Sequence, residues 1–198
     1  MAAPSNGVEF DEARNNKSLS IAEVKKIGKR VGFFMLNLGL VYFLEYMCLT
    51  SFAERIVAKL NKEHPENSDK YLYKHGYVVF TFCYQIGVFI SRSSLSIIKI
   101  RRVEIMTILQ GINFLFFLLN TTFMFLENFY VMFVLMVWVG LMGGSSYVNV
   151  MYNILESDKL AKNEKELALT ITTVCNDVGI LAASLLSLLL ANTAFKIE

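Results

Sequence analysis

Residues 129–152 read FYVMFVLMVWVGLMGGSSYVNVMY, 24 consecutive residues without a charge. A helix rises about 1.5 Å per residue, so this run is long enough to cross the roughly 30 Å hydrocarbon core of a bilayer. It is too long and too continuous for a strand, and it lacks the alternation of a membrane barrel. Four further runs of the same kind lie at 31–50, 76–98, 105–125 and 167–191. The chain therefore reads as an all-α integral membrane protein with about five transmembrane helices.

The composition agrees. Hydrophobic residues make up 55% and charged residues 18% of the 198 positions, with a mean hydropathy of +0.46. Of 19 Lys and Arg and 17 Asp and Glu, only Glu45, Arg92 and Asp177 fall inside the five runs. A bilayer sorts side chains in this way and a soluble core does not. The net charge of +2, with basic residues scattered over several connections, gives no nucleic-acid surface. Cys48, Cys83 and Cys175 lie apart in three different runs, so they read as small packing groups and not as a disulfide framework or a metal site.

Residues 1–17, with Pro4, Gly7 and three Asn, read as a disordered tail, and nothing in residues 1–30 resembles a cleaved signal. In 18–30, Ile21, Val24, Ile27, Gly28 and Val31 recur at helical spacing with Lys25, Lys26, Lys29 and Arg30 off that stripe, which predicts a short amphipathic helix on the membrane surface. Residues 51–75 contain His-Pro-Glu-Asn-Ser-Asp and read as a charged loop in water on the lumenal side. The remainder, 31–195, is the five-helix membrane domain. Twelve Lys and Arg precede the first run or follow the second and fourth, against six on the opposite face, so the N-terminus is expected in the cytosol. Asn120-Thr121-Thr122 matches the glycosylation pattern but lies inside an apolar run, and no modification is expected there.

An ionised group at the centre of a membrane helix costs about 2.5 to 3.5 kcal/mol, so Glu45, Arg92 and Asp177 must face one another, water or a polar cavity. Asn37, Val41, Glu45 and Cys48 share a face, with Tyr42 and Tyr46 beside it. Gln85, Arg92 and Ser96 share another, as do Thr173, Asp177, Ser184 and Ser187, with Asn176 adjacent. Gln110 with Asn113, and Ser146 with Asn149 and Asn153, supply polar stripes on the remaining two helices. A polar stripe on every helix is the pattern of helices around an aqueous pathway. The expected substrate-binding residues are Glu45, Arg92, Asp177, Gln85 and Asn149. Arg92, about six residues from the end of its run, either meets substrate or snorkels to the headgroups, and most of the Ser, Thr and Asn residues serve equally well as interhelical glue. His64 and His75, in or beside the charged loop, read as solvated groups that would titrate on an acidic face. Gly140 with Gly144, and Gly179 with Ala183, are small-residue pairs suited to close helix packing. There is no nucleophile and base pair, metal cluster or phosphate-cradling loop, so neither an enzyme nor a cofactor is expected.

The stretches Val41-Tyr42-Phe43-Leu44-Glu45-Tyr46, Tyr84-Gln85-Ile86-Gly87-Val88-Phe89-Ile90-Ser91-Arg92-Ser93-Ser94-Leu95, Gly143-Gly144-Ser145-Ser146-Tyr147-Val148-Asn149 and Cys175-Asn176-Asp177-Val178-Gly179-Ile180 resemble the C-terminal half of the battenin family. The resemblance covers roughly residues 18–191. It implies a polytopic protein distantly related to the major facilitator superfamily, with eleven spans and residence in late endosomes, lysosomes or the vacuole. It also implies links to glycerophosphodiester clearance, lysosomal pH and vacuolar basic amino acids. Glu45, Arg92 and Asp177 coincide with the family's intramembrane charges. The expected partners are the lipid bilayer, a small anionic or zwitterionic solute, protons and a six-helix N-terminal lobe that has no counterpart in these residues. The chain is thus expected to be part of a longer protein, a shortened isoform or a small relative. Its last residues, Phe195-Lys196-Ile197-Glu198, lack the Cys-a-a-X prenylation signal of some relatives, and the final run lacks their proline and histidine.

Overall fold

The computed structural model describes residues 21–67 and 69–193. The expected tail at 1–17 and the start of the amphipathic segment lie outside them. Among the described residues the regular structure is entirely helical: α1 (Ile21–Tyr46), α2 (Ala53–Glu63), α3 (Tyr71–Ser93), α4 (Glu104–Phe123), α5 (Phe129–Leu155) and α6 (Lys162–Asn192). Five helices are long and apolar enough to cross a membrane, the first being the continuous run of α1 and α2.

Two features depart from the sequence expectations. The segment expected at 18–30 as a short amphipathic helix on the membrane surface leading into the first span is, from Ile21, continuous with that span, and its Ile27 and Val31 pack into a core with Leu38 and Val41 instead of facing the membrane surface. The segment expected as a loop at 51–75 begins with helix. α1 widens into a π turn at Met47–Phe52 and resumes as α2, whose Ala53, Ile56, Val57 and Leu60 are buried. That spacing of 0, 3, 4 and 7 is one face of a helix. Glu54, Arg55, Lys59, Lys62 and Glu63 lower the hydropathy of the segment and mask the pattern. Lys59 Nζ bridges from α2 to the C-terminus of α4, donating to Thr121 O at 2.6 Å and Thr122 O at 3.3 Å. A cation is favoured there because the last carbonyls of a helix have no intrahelical partner.

Local chemistry sets several of the helix ends. Asn128 caps α5, its Oδ1 accepting from Tyr130 N at 2.9 Å and Val131 N at 3.4 Å. Glu164 in the first turn of α6 accepts from Ala161 N at 3.0 Å and pairs with Arg30 at 2.9 Å. α4 ends at Met124 in the left-handed region (φ 49°). There Asn120, fully buried, binds the Leu126 backbone through both its amide nitrogen (3.1 Å) and its oxygen (2.8 Å). α3 bends at His75, whose backbone is non-helical, one residue before the start expected for that run.

Two helix pairs run parallel and approach most closely, and glycine sets both. In the α3–α5 pair, a methyl group at Gly87 would strike Val137 O, one at Gly140 would strike Tyr84 O, and one at Gly144 would strike Ser91 Oγ. In the α1–α6 pair, Gly179 lies on Gly39 O, and a methyl at Gly39 would stand 3.0 Å from Cys175 O. Backbones this close leave room for no side chain, which is the packing use expected of Gly140, Gly144 and Gly179. Ala183 is buried in the core as well.

The core falls into two apolar clusters. One, at the α2 end, is built on Phe52, Phe80, Phe117, Met132 and Met136. The other is built on Leu38, Val41, Val103, Val150, Ile154 and Ala168. On α1 and on α5 the residues between the two clusters include Glu45 and Gly143. At the end opposite α2, the Arg30–Glu164 pair and the stacking of Lys99 Nζ 4.8 Å from the Tyr152 ring gather the termini of α1, α3, α5 and α6, where most of the cations lie.

Candidate functional site

Glu45 is fully buried, and its carboxylate lies against Gly143, where even a methyl group would overlap it. A glycine is required on α5 at this point because the acid occupies the space of a side chain. Tyr84 and Arg92 are its polar neighbours: the Tyr84 hydroxyl stands within hydrogen-bonding reach of the carboxylate, although the contact falls short of a well-formed bond. Further unpartnered polar atoms within the bundle are Gln110 Nε2, Ser146 Oγ and Asn176 Oδ1. A buried polar group left unpaired costs about 1 to 3 kcal/mol, and a charge more, so the interior around Glu45 is primed for a proton, a cation or a hydrogen-bonding guest.

Arg92 is an exposed residue whose guanidinium is held from two sides. Its Nη2 donates to the Tyr42 hydroxyl at 3.0 Å, and its Cζ lies 4.7 Å from the centre of the Tyr147 ring. Tyr42 and Tyr147 meet edge to face at 6.3 Å, and Tyr46 stacks on Tyr42 at 6.3 Å. The guanidinium is therefore oriented by a hydrogen bond and a ring face while its other N–H groups stay free, the state suited to fork-like binding of an oxyanion. It is not committed to an ion pair with Glu45, although the two groups interact electrostatically.

Asp177 is exposed on α6, accepts from Asn176 Nδ2 at 3.3 Å and lies within electrostatic range of Tyr46. The sequence reading grouped Glu45, Arg92 and Asp177, and the structure links them through the Tyr42–Tyr46 stack instead of by direct ion pairs. Gln85 sits one residue from the buried Tyr84 and is exposed, without a side-chain hydrogen bond. Asn149 is 2% exposed and fully engaged with backbone: its Nδ2 donates to Ser145 O at 2.9 Å and its Oδ1 accepts from Ile100 N at 2.6 Å. Asn153 Nδ2 donates to Ile100 O at 3.0 Å, so the two asparagines clamp the α3–α4 connection. These bonds hold Asn149, one of the expected substrate-binding residues, against the α3–α4 connection.

Asn37 belongs to a second polar layer, accepting from Thr107 Oγ1 at 2.7 Å, and Asn113 donates to Gln110 at 3.1 Å. Thr50 and Ser187 bridge α1 to α6 at 3.0 Å. The contributions of Tyr84, Tyr147 and Gly143 escaped the chemical reading of the sequence, because tyrosines and glycines in an apolar run carry no charge that demands explanation. Among the described residues no three His, Cys, Asp or Glu side chains gather as a metal site.

The fold, with a buried acid and an aromatic-braced arginine on membrane-length helices, defines a multi-pass membrane protein. The CLN3 protein family model matches residues 2–197. The chain is 37% identical over 173 residues to battenin of Dictyostelium discoideum, covering 87% of this chain and 40% of that protein. It is 31% identical over 168 residues to Protein BTN1 of Saccharomyces cerevisiae, covering 83% and 41% respectively. Battenin of Canis lupus familiaris is 31% identical over 176 residues, covering 88% and 37%. No solved structure matches the chain. It belongs to the CLN3 protein family, and it spans about two fifths of the length of these curated relatives.

Proposed function

We propose that this chain is the five-helix lobe of a lysosomal or vacuolar membrane transporter for a small anionic or zwitterionic solute, of which a glycerophosphodiester is the leading example. The observation that carries this reading is the oriented guanidinium of the exposed Arg92 on Tyr42 and Tyr147. Arg92 receives the anionic group through the N–H donors that Tyr42 leaves free. The Tyr42–Tyr46 stack forms a wall along the solute, and Asp177 beyond it faces a cationic group where the solute has one. Glu45, sealed behind Gly143 with only the Tyr84 hydroxyl in reach of its carboxylate, takes a proton as its compensating partner and links solute movement to lumenal acidity and pH balance. A six-helix lobe covers the open face, and rocking of one lobe on the other moves the solute. The N-terminus lies in the cytosol, on the side of the cation-rich end.

The test is uptake of a labelled glycerophosphodiester into vesicles holding this chain together with the first part of a longer relative. Arg92→Lys keeps the charge but loses the planar fork, and the loss of charge-assisted hydrogen bonds worth about 1.5 to 3 kcal/mol raises KM some tenfold or more. Uptake equal to that of empty vesicles, or unchanged by Arg92→Gln, overturns the reading.

A second reading is a non-transporting adaptor acting on endolysosomal trafficking or acidification, favoured by the exposed Lys25, Lys26 and Lys29 on the first turns of α1. Neutralising these lysines together with Arg30 abolishes cellular function on that reading, whereas Glu45→Gln and Asp177→Asn leave it intact.

A further inference from the structure

We propose that His64 is a protonation-gated clasp fastening the α2–α3 connection to the α4–α5 connection. Its ring lies between carboxylates from the two connections, with Nδ1 3.2 Å from Glu66 Oε1 and Nε2 3.5 Å from Glu127 Oε2. A neutral imidazole has one N–H and one lone pair, whereas the imidazolium donates from both nitrogens. Only the cation can serve both carboxylates at once; the neutral ring turns a lone pair towards one of them.

The surroundings hold the ring in this position. His64 N donates to Leu60 O of α2 at 3.0 Å, and the Tyr73 ring of α3 meets the imidazole edge to face at 6.3 Å. Asn67 Nδ2 donates to the same Glu66 Oε1 at 3.2 Å and reaches the Tyr73 hydroxyl at 3.4 Å. Among the described residues the titratable groups that meet the imidazole are Glu66 from its own connection, Glu127 from the α4–α5 connection and Tyr73 from α3, and Lys62 and Glu63 at the end of α2 are the charged residues next to it in the chain. Two residues beyond Glu127, Phe129 packs on Tyr73 at 5.1 Å and on Phe80 at 5.8 Å. Closing the clasp therefore holds the first turn of α5 against the start of α3, next to the bend at His75.

The neighbouring tie from Lys59 of α2 to the end of α4 is made to backbone carbonyls and involves no imidazole. The imidazolium favours the closed clasp, so the closed population is larger at the acid end than at the basic end. This holds whatever the mid-membrane site carries.

The experiment is a distance measurement between spin labels at Asp69→Cys and Tyr130→Cys in the full chain in lipid nanodiscs, with Cys83 and Cys175 replaced by Ala and buried Cys48 retained. Between pH 8 and pH 5 the short-distance population rises, the closed-to-open ratio changing by about 1.4-fold to fivefold for each exposed pair. His64→Gln and Glu127→Gln flatten the response. His64→Arg, charged throughout, holds the short distance at every pH and separates loss of charge from loss of folding. His75→Gln keeps the wild-type response. A response that survives His64→Gln, or a wild type with no response, overturns the proposal.

Discussion

The α1–α5 seam and the exposed face of α6 each carry an acid within a membrane-length run, and their surroundings are opposite. Glu45 is sealed on Gly143 with no exposed surface, while Asp177 stands open with only Asn176 donating to it. Two carboxylates in membrane-length helices thus pose two different problems. The sealed acid is accommodated by the glycine opposite and has the Tyr84 hydroxyl within reach. The open acid is tolerable in a membrane only if water or further protein covers the face of α6, since lipid there would cost about 2.5 to 3.5 kcal/mol.

The largest expected effect tests the glycine seams that create the sealed environment. Gly140→Leu, or Gly87→Leu, forces a side chain into a carbonyl of the facing helix and destabilises by about 3 kcal/mol or more, read as loss of monodisperse protein and a lowered Tm in detergent. Gly111→Leu, with nothing within 4 Å of its added carbon, leaves Tm nearly unchanged. Next, the two acids are distinguished directly by thiol labelling of Glu45→Cys and Asp177→Cys. The α6 cysteine reacts more than tenfold faster, and equal rates would erase the distinction. Gly143→Ala then costs about 1 to 3 kcal/mol by displacing the Glu45 carboxylate, and much less when combined with Glu45→Ala, a non-additivity that thermal unfolding of the double mutant measures. The smallest effect comes from Ser187→Ala, which removes the bond to Thr50 and costs about 0.6 kcal/mol, seen as a shift of a degree or two in Tm.

Much of the fold was legible because crossing a bilayer is a local requirement. The runs at 76–98, 105–125, 129–152 and 167–191 each lie mostly within α3, α4, α5 and α6, and the intramembrane charges stood out because each breaks such a run. α2 was missed for the converse reason: Ala53, Ile56, Val57 and Leu60 are spaced correctly but diluted by five charges. The site was legible only in part. Arg92 and Glu45 lie beside the aromatic stack as charge cost suggests, but Asn149 is engaged by the Ile100 backbone, and Gln85 faces outward. A polar residue looks the same in sequence whether its neighbour is a solute or a peptide group.

From the sequence alone came the number of long apolar helices, the three ionised groups that cannot rest in lipid, and the small residues able to bring helices together. The tertiary structure alone decided which helices pair, that Glu45 is enclosed while Asp177 is open, and that Arg92 leans on Tyr42 and Tyr147. Hydropathy accumulates along a single helix and can be summed from its residues. Burial depends on how each helix is rotated against partners distant in the chain, and here the glycine contacts of α3 with α5 and of α1 with α6 set that rotation.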